Sequence, residues 1–152
     1  MNGKLTELQN GFRRDRRLED NIFVLTQIVE IARKEDRDFI CCFLDVAKAY
    51  DSVPHGSLFH CLKRLDMPDQ WTELIQRLYD GGTVTAAFGG VHSTRVIAKR
   101  GLKQGCPLSP LLYMLYTAEM ERKLITSGLG FSLRRIEDGC VTHWTLPGLA
   151  YA

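Results

Sequence analysis

The stretch FLDVAKAYDSV, residues 43–53, places an aspartate, Asp45, at the end of an apolar run formed by Ile40, Cys41, Cys42, Phe43 and Leu44. A second acid, Asp51, follows shortly after. Carboxylates are costly to bury without partners. An acid at the exit of a buried strand is one way to fix a hard oxygen ligand in a cleft, and such a ligand suits Mg²⁺, which prefers oxygen and keeps substrate phosphates in its shell. The plainer alternative is a turn or cap aspartate, which sits at strand exits as well and is the commoner outcome for one isolated acid. Asp51 lies past the strand, need not face the same cleft, and could simply cap the turn before Val53-Pro54.

The loop GLKQGCPLSP, residues 101–110, is the second candidate. Gly101 and Gly105 let backbone approach a ligand closely, and Gln104 offers two donors and an acceptor. A loop of this kind entering a helix could hold a base, a sugar or a phosphate. It could equally be an ordinary connection, and the residues alone leave both open.

The elements that must carry these residues follow from periodicity. DNIFVLTQIVEIARKED has Ile22, Leu25, Ile28, Val29 and Ala32 at helical spacing, with Asp20 as N-cap. Phe39 to Val46 reads as a strand covered on both faces, because the apolar run is nearly continuous. After the Val53-Pro54 break, His55 to Asp66 reads as a helix with Leu58, Leu62 and Leu65 inward. Pro68 opens the next, whose inward face is Trp71, Leu74, Ile75 and Leu78, and Gly81-Gly82 ends it. Thr83–Phe88 and Ser93–Lys99 flank Gly89-Gly90 as a hairpin. Ser109 caps a long helix over residues 110–127 with Leu111, Met114, Leu115, Ala118 and Leu124 on its apolar side. A second, exposed hairpin spans residues 130–146 around Glu137-Asp138-Gly139, and Leu149 to Ala152 begins another apolar strand. Strands mixed with helix pairs and hairpins give an α+β class.

Composition limits the options. The chain has 152 residues, 45% hydrophobic and 25% charged, which argues for a folded core of one domain or part of one. No apolar run is long enough for a bilayer and the charged N-terminus is unlike a signal peptide, so an intracellular protein, nuclear or cytoplasmic and not secreted, is expected, with no membrane partner. The five cysteines lack CxxC spacing and are expected to be reduced core thiols, not zinc ligands. A net charge of +2 demands no nucleic acid, and the cluster RRDRR and the set Lys99, Arg100 and Lys103 read on charge alone as solvated faces.

Taken together, QNGFRRDRRLEDNIF, FLDVAKAYDSV and GLKQGCPLSPLLY occur in an order and spacing that resembles the reverse transcriptases of non-LTR (LINE-type) retrotransposons, from about Leu5 to Ala152. The resemblance implies part of a right-hand polymerase: a fingers-like segment over residues 1–38 and a palm over residues 39–152, with an antiparallel palm sheet packed on helices and incomplete at the C-terminus. It implies Mg²⁺-dependent nucleotidyl transfer from a deoxynucleoside triphosphate to a primer 3′-hydroxyl on an RNA template, with two Mg²⁺ ions in the complete enzyme. Asp45 matches the metal-binding catalytic aspartate, joined by the Val46 carbonyl. Tyr50 matches the aromatic residue under the incoming sugar, where a 2′-hydroxyl would clash. Gln104 and Gly105 would lie against the incoming nucleotide and template base. Arg13 and Arg16, in the finger-side block, would contact template phosphates or the triphosphate.

Two ions ~3.5–4 Å apart need several carboxylates close together. In the family the others form an adjacent pair on a palm hairpin, expected here just beyond LPGLAYA. Glu137 and Asp138, beside Gly139, read as hairpin punctuation and do not replace them. The 152 residues alone are therefore expected to be inactive, and an unpaired sheet edge is expected to make them poorly soluble. A group II intron maturase is the alternative within the polymerases. An RNA-binding remnant or a relic without function is the alternative outside them.

Overall fold

The computed structural model describes residues 4–137 and 140–151, which divide into two compact units, one formed by the described residues up to 45 and from 117 onward and one by residues 46–116. Helices and three two-stranded antiparallel sheets are mixed along the chain, consistent with the α+β expectation.

In the first unit, α1 (Leu18–Lys34) has Arg17 as its N-cap and so starts three residues earlier than an N-cap at Asp20 would place it. Asp20 still serves the helix start: its carboxylate accepts the Arg17 N–H at 2.8 Å, from inside the first turn instead of the cap. The buried side is Asn21, Ile28 and Ala32, while Ile22 is exposed. Strands β5 (Phe131–Glu137) and β6 (Cys140–Leu146) pair in register from Phe131 with Leu146 to Glu137 with Cys140. The turn residues Asp138 and Gly139 expected between them lie outside the described residues. Arg37 holds this ribbon at its base, donating to the Ser132 carbonyl at 3.0 Å and stacking over Phe131.

The second unit is built on α3 (His55–Arg64) and α4 (Asp69–Tyr79), after the short α2 (Ala49–Ser52). Leu58, Leu62 and Leu65 are buried as their spacing requires. Helix α4 differs: its buried face is Thr72, Ile75 and Tyr79, and Trp71, Leu74 and Leu78 are half exposed. Both faces contain Ile75, and a shift of one position is enough to exchange them. The exchange leaves Thr72 Oγ1 buried without a hydrogen-bond partner among the described residues. Thr72→Val, which keeps the shape and removes the unpaired hydroxyl, is expected to stabilise the protein by about 1 kcal/mol in urea unfolding; a destabilised variant would show that the hydroxyl is satisfied.

The Gly89-Gly90 hairpin is present. Strands β2 (Ala87–Phe88) and β3 (Val91–His92) pair around the two glycines, whose φ of +56° and +80° suit a tight primed turn. Strands β1 (Thr83–Val84) and β4 (Val96–Ile97) pair beyond them. Between the two ladders Thr85-Ala86 faces three residues, 93–95, so the register shifts by one as at a bulge. Helix α5 (Ser109–Thr126) buries Leu112, Tyr113, Met114, Leu115, Ala118 and Glu121, and Gly128 follows in the left-handed region.

The largest departure is residues 39–46. They form no strand, and Ile40 is 93% and Phe43 82% exposed, with Leu44 and Val46 exposed beside them. An apolar run specifies a buried strand only when a neighbour supplies backbone partners and a covering face, and none lies along it among the described residues. The same correction applies to Cys41 and Cys42, which are exposed, whereas Cys61 is buried and Cys106 intermediate; none of these four is in a disulfide.

Candidate nucleotide pocket and the polar knot of the first unit

The pocket is in the second unit. Helix α2 begins after Lys48, held at φ +50°, and carries Tyr50 and Asp51. The GLKQG loop runs beside it, tied by backbone bonds from Gly101 N–H to the Val53 carbonyl (2.8 Å) and from Leu102 N–H to the Tyr50 carbonyl (2.9 Å). The approach is close enough that a side chain on Gly101 would touch the Asp51 backbone at 3.6 Å. Ser109, expected as a cap, instead donates its hydroxyl to the Lys103 carbonyl at 2.6 Å and closes the loop on itself. Lys103 donates its ammonium to the Leu78 carbonyl at the end of α4, where a cation suits the helix dipole.

These ties border an open cleft of about 400 Å³ lined by Tyr50, Lys103, Gln104, Gly105, Cys106, Pro107, Ser109 and Pro110. Three of the residues singled out from the sequence, Tyr50, Gln104 and Gly105, therefore line one cavity. Tyr50 rests on the ring of buried Tyr113, 5.2 Å between centroids, and Gln104 Nε2 donates to Asp51 Oδ1 at 3.2 Å. Neither Tyr113 nor this use of Asp51 was visible in the sequence, because helical periodicity marks a core position without saying what leans on it.

Asp45 and Val46 are exposed and are not among the cavity's lining residues. The Asp45 carboxylate makes no hydrogen bond or ion pair among the described residues, so both oxygens are open to a cation. With the Val46 carbonyl next in sequence, it could supply part of one ion's shell. No group of three or more His, Cys, Asp or Glu among the described residues could hold a metal ion.

Arg13 and Arg16 belong to a different construction. The Arg13 side chain is 9% exposed and donates to the carbonyls of Thr6 (2.8 Å) and Gln9 (3.1 Å). Arg16 pairs with Glu7 and donates to Asn10 Oδ1. The Arg16 guanidinium holds the Glu7 carboxyl below the ordinary carboxylate value; partial desolvation opposes this, and Arg13 adds a smaller lowering. Stability from this pair is therefore present above the ordinary carboxylate pKa and lost as pH falls through the lowered one. Deeper in, Asn10 Nδ2 donates to Asn21 Oδ1, and Gln9 Nε2 and the Thr6 hydroxyl donate to buried Glu121. Gln9 and Ala150 form a parallel bridge: Asn10 N–H donates to the Ala150 carbonyl and Ala150 N–H to that of Leu8. The QNGF block is thus a polar knot tying Leu149–Tyr151 to α1 and α5.

A mixed α+β chain with a loop-walled, mostly apolar cleft, lined on one side by Tyr50, is the class of protein these observations define. The chain belongs to the reverse transcriptase (RNA-dependent DNA polymerase) family, which it matches over residues 2–135. It is 32% identical over 116 residues to the retrovirus-related Pol polyprotein from type-2 retrotransposable element R2DM of Drosophila melanogaster, covering 76% of this chain and 11% of that protein. It is 29% identical over 151 residues to the Pol polyprotein from type-1 retrotransposable element R2 of Popillia japonica, covering 98% and 20%. With the RNA-directed DNA polymerase from mobile element jockey of Drosophila funebris it shares 34% identity over 88 residues, covering 58% and 10%. The resemblance to retrotransposon reverse transcriptases is borne out, and the chain spans between 10% and 20% of the length of these curated relatives. No helix among the described residues is long and apolar enough to cross a membrane.

Proposed function

We propose that this chain supplies the nucleotide-facing part of an RNA-directed DNA polymerase, acting inside the cell on an RNA template and a DNA primer. In this reading residues 1–38 are fingers-like and residues 39–152 belong to the palm. The observation that supports it is the convergence of Tyr50, Gln104 and Gly105 on one cavity, from two sequence blocks laced together by backbone bonds. Tyr50, backed by Tyr113, lies under the sugar and excludes a 2′-hydroxyl. Gln104 and the backbone at Gly105 face the base of the incoming deoxynucleotide. Asp45 and the Val46 carbonyl contribute to one Mg²⁺ site. The ions, when bound, supply polarisation of the attacking hydroxyl and of the leaving oxygens. Arg13 is committed to carbonyls of its own segment and so shapes the surface that meets template phosphate, whereas Arg16 keeps an open side for direct contact.

Equilibrium binding tests the reading. The 152-residue chain is expected to bind a deoxynucleoside triphosphate roughly tenfold more tightly than the matching ribonucleotide, a difference of about 1.4 kcal/mol. Tyr50→Val is expected to remove that preference without abolishing binding, and the chain alone is expected to give no templated primer extension with Mg²⁺. Equal affinity for both sugars in the unaltered chain would sink the role of Tyr50, and extension would show that further carboxylates complete the metal site.

A further inference from the structure

We infer that Asp51 is a positioning residue that sets which atoms of Gln104 face the cavity. The inference rests on the reading of that cavity as a nucleotide site. A glutamine amide can be turned over at almost no cost, which exchanges a donor for an acceptor at any given point. A carboxylate is acceptor-only when ionised. With Asp51 Oδ1 3.2 Å from Gln104 Nε2, the amide nitrogen is drawn to Asp51 and the turned-over form would set two oxygens against each other. Oε1 is left on the other branch of the amide, so the cavity is offered an acceptor together with the second N–H. Asp51 is itself fixed: it lies in α2, the carbonyl of Tyr50 before it is bound by Leu102 N–H, and Gly101 packs on its backbone. Both side chains are exposed, so a bond between them is of little consequence for folding. Its consequence is for what the amide presents.

Charge gives the inference a sign that a general role would not have. Asp51 is an anion beside a cavity read as taking a triphosphate. Removing it should tighten binding if Coulomb repulsion were its only effect, and should weaken binding if it aims Gln104.

The test uses the 152-residue chain, deoxythymidine triphosphate with Mg²⁺, and a double-mutant cycle. Gln104→Ala is expected to weaken binding by about tenfold, Asp51→Ala by a similar factor, and the double variant no further than Gln104→Ala alone. Asp51→Asn, which keeps an acceptor oxygen, is expected to recover part of the loss. In ¹⁵N-edited NMR spectra the Gln104 side-chain amide signal should move in Asp51→Ala without nucleotide, while the dispersed backbone signals stay in place. Tighter or unchanged binding by Asp51→Ala, or losses that add in the double variant, would overturn the inference. If the unaltered chain does not bind, or Gln104→Ala binds as well as the unaltered chain, the nucleotide reading itself fails and the inference falls with it.

Discussion

In sedimentation velocity the 152-residue chain is expected to self-associate at micromolar concentration, and a variant carrying Ile40→Lys and Phe43→Lys is expected to be largely monomeric. The cause is the run from Ile40 to Val46, whose large side chains lie in solvent and whose backbone pairs with no strand among the described residues. An extended apolar segment with open N–H and C=O groups is a template for another copy. Burying one large apolar side chain contributes roughly 1.5–3 kcal/mol, so losing two such contacts should weaken association about a hundredfold or more. Lysine adds like-charge repulsion between copies, which salt should partly screen. The substitutions leave the buried leucines of α3 and the cavity residues untouched, so the melting temperature of the monomer should hold. A monodisperse monomer in the unaltered chain would contradict the prediction outright.

This segment also shows where sequence reading stops. An apolar run states that a stretch needs covering; it does not state what covers it. Features settled within a few residues were legible. Gly89-Gly90 requires positive φ at two adjacent positions and so marks its hairpin, and Leu58, Leu62 and Leu65 fall on one side of a helix with no competing stripe. Helix α4 had two overlapping stripes sharing Ile75, and the structure buries the one with a threonine and a tyrosine. The loop GLKQG and Tyr50 were legible as parts, and their closure into one cavity depends on backbone bonds from residues 101 and 102 to residues 53 and 50 that no spacing encodes. Charge misled in its own way. RRDRR read on charge alone as a solvated cluster, yet Arg13 is part-buried against carbonyls and Arg16 braces Glu7 and Asn10.

Glu121 joins α5 to the N-terminal block, and Glu121→Ala is expected to cost about 3–5 kcal/mol of stability. The carboxylate is 1% exposed and is shared by the Thr6 hydroxyl and Gln9 Nε2. Gln9 cannot turn to another acceptor cheaply, because its Oε1 already accepts the Gly11 N–H at 2.8 Å. Removing the carboxylate takes the acceptor from the buried Thr6 hydroxyl and from one bond of Gln9 Nε2, at about 1–3 kcal/mol each, and leaves a void on a buried side of the helix. Glu121→Gln keeps the volume and one acceptor, and the Thr6 hydroxyl can rotate to accept from the new amide, so its cost should be near 1 kcal/mol. Urea unfolding at constant m-value separates the two variants. Hydrogen exchange locates the damage: in Glu121→Ala the Asn10 and Ala150 amides, bonded to Ala150 and Leu8 carbonyls, should lose protection before those of α3. An alanine variant within 1 kcal/mol of the unaltered chain, with those two amides still protected, would mean that the knot is held by Asn10, Asn21 and Arg13 instead.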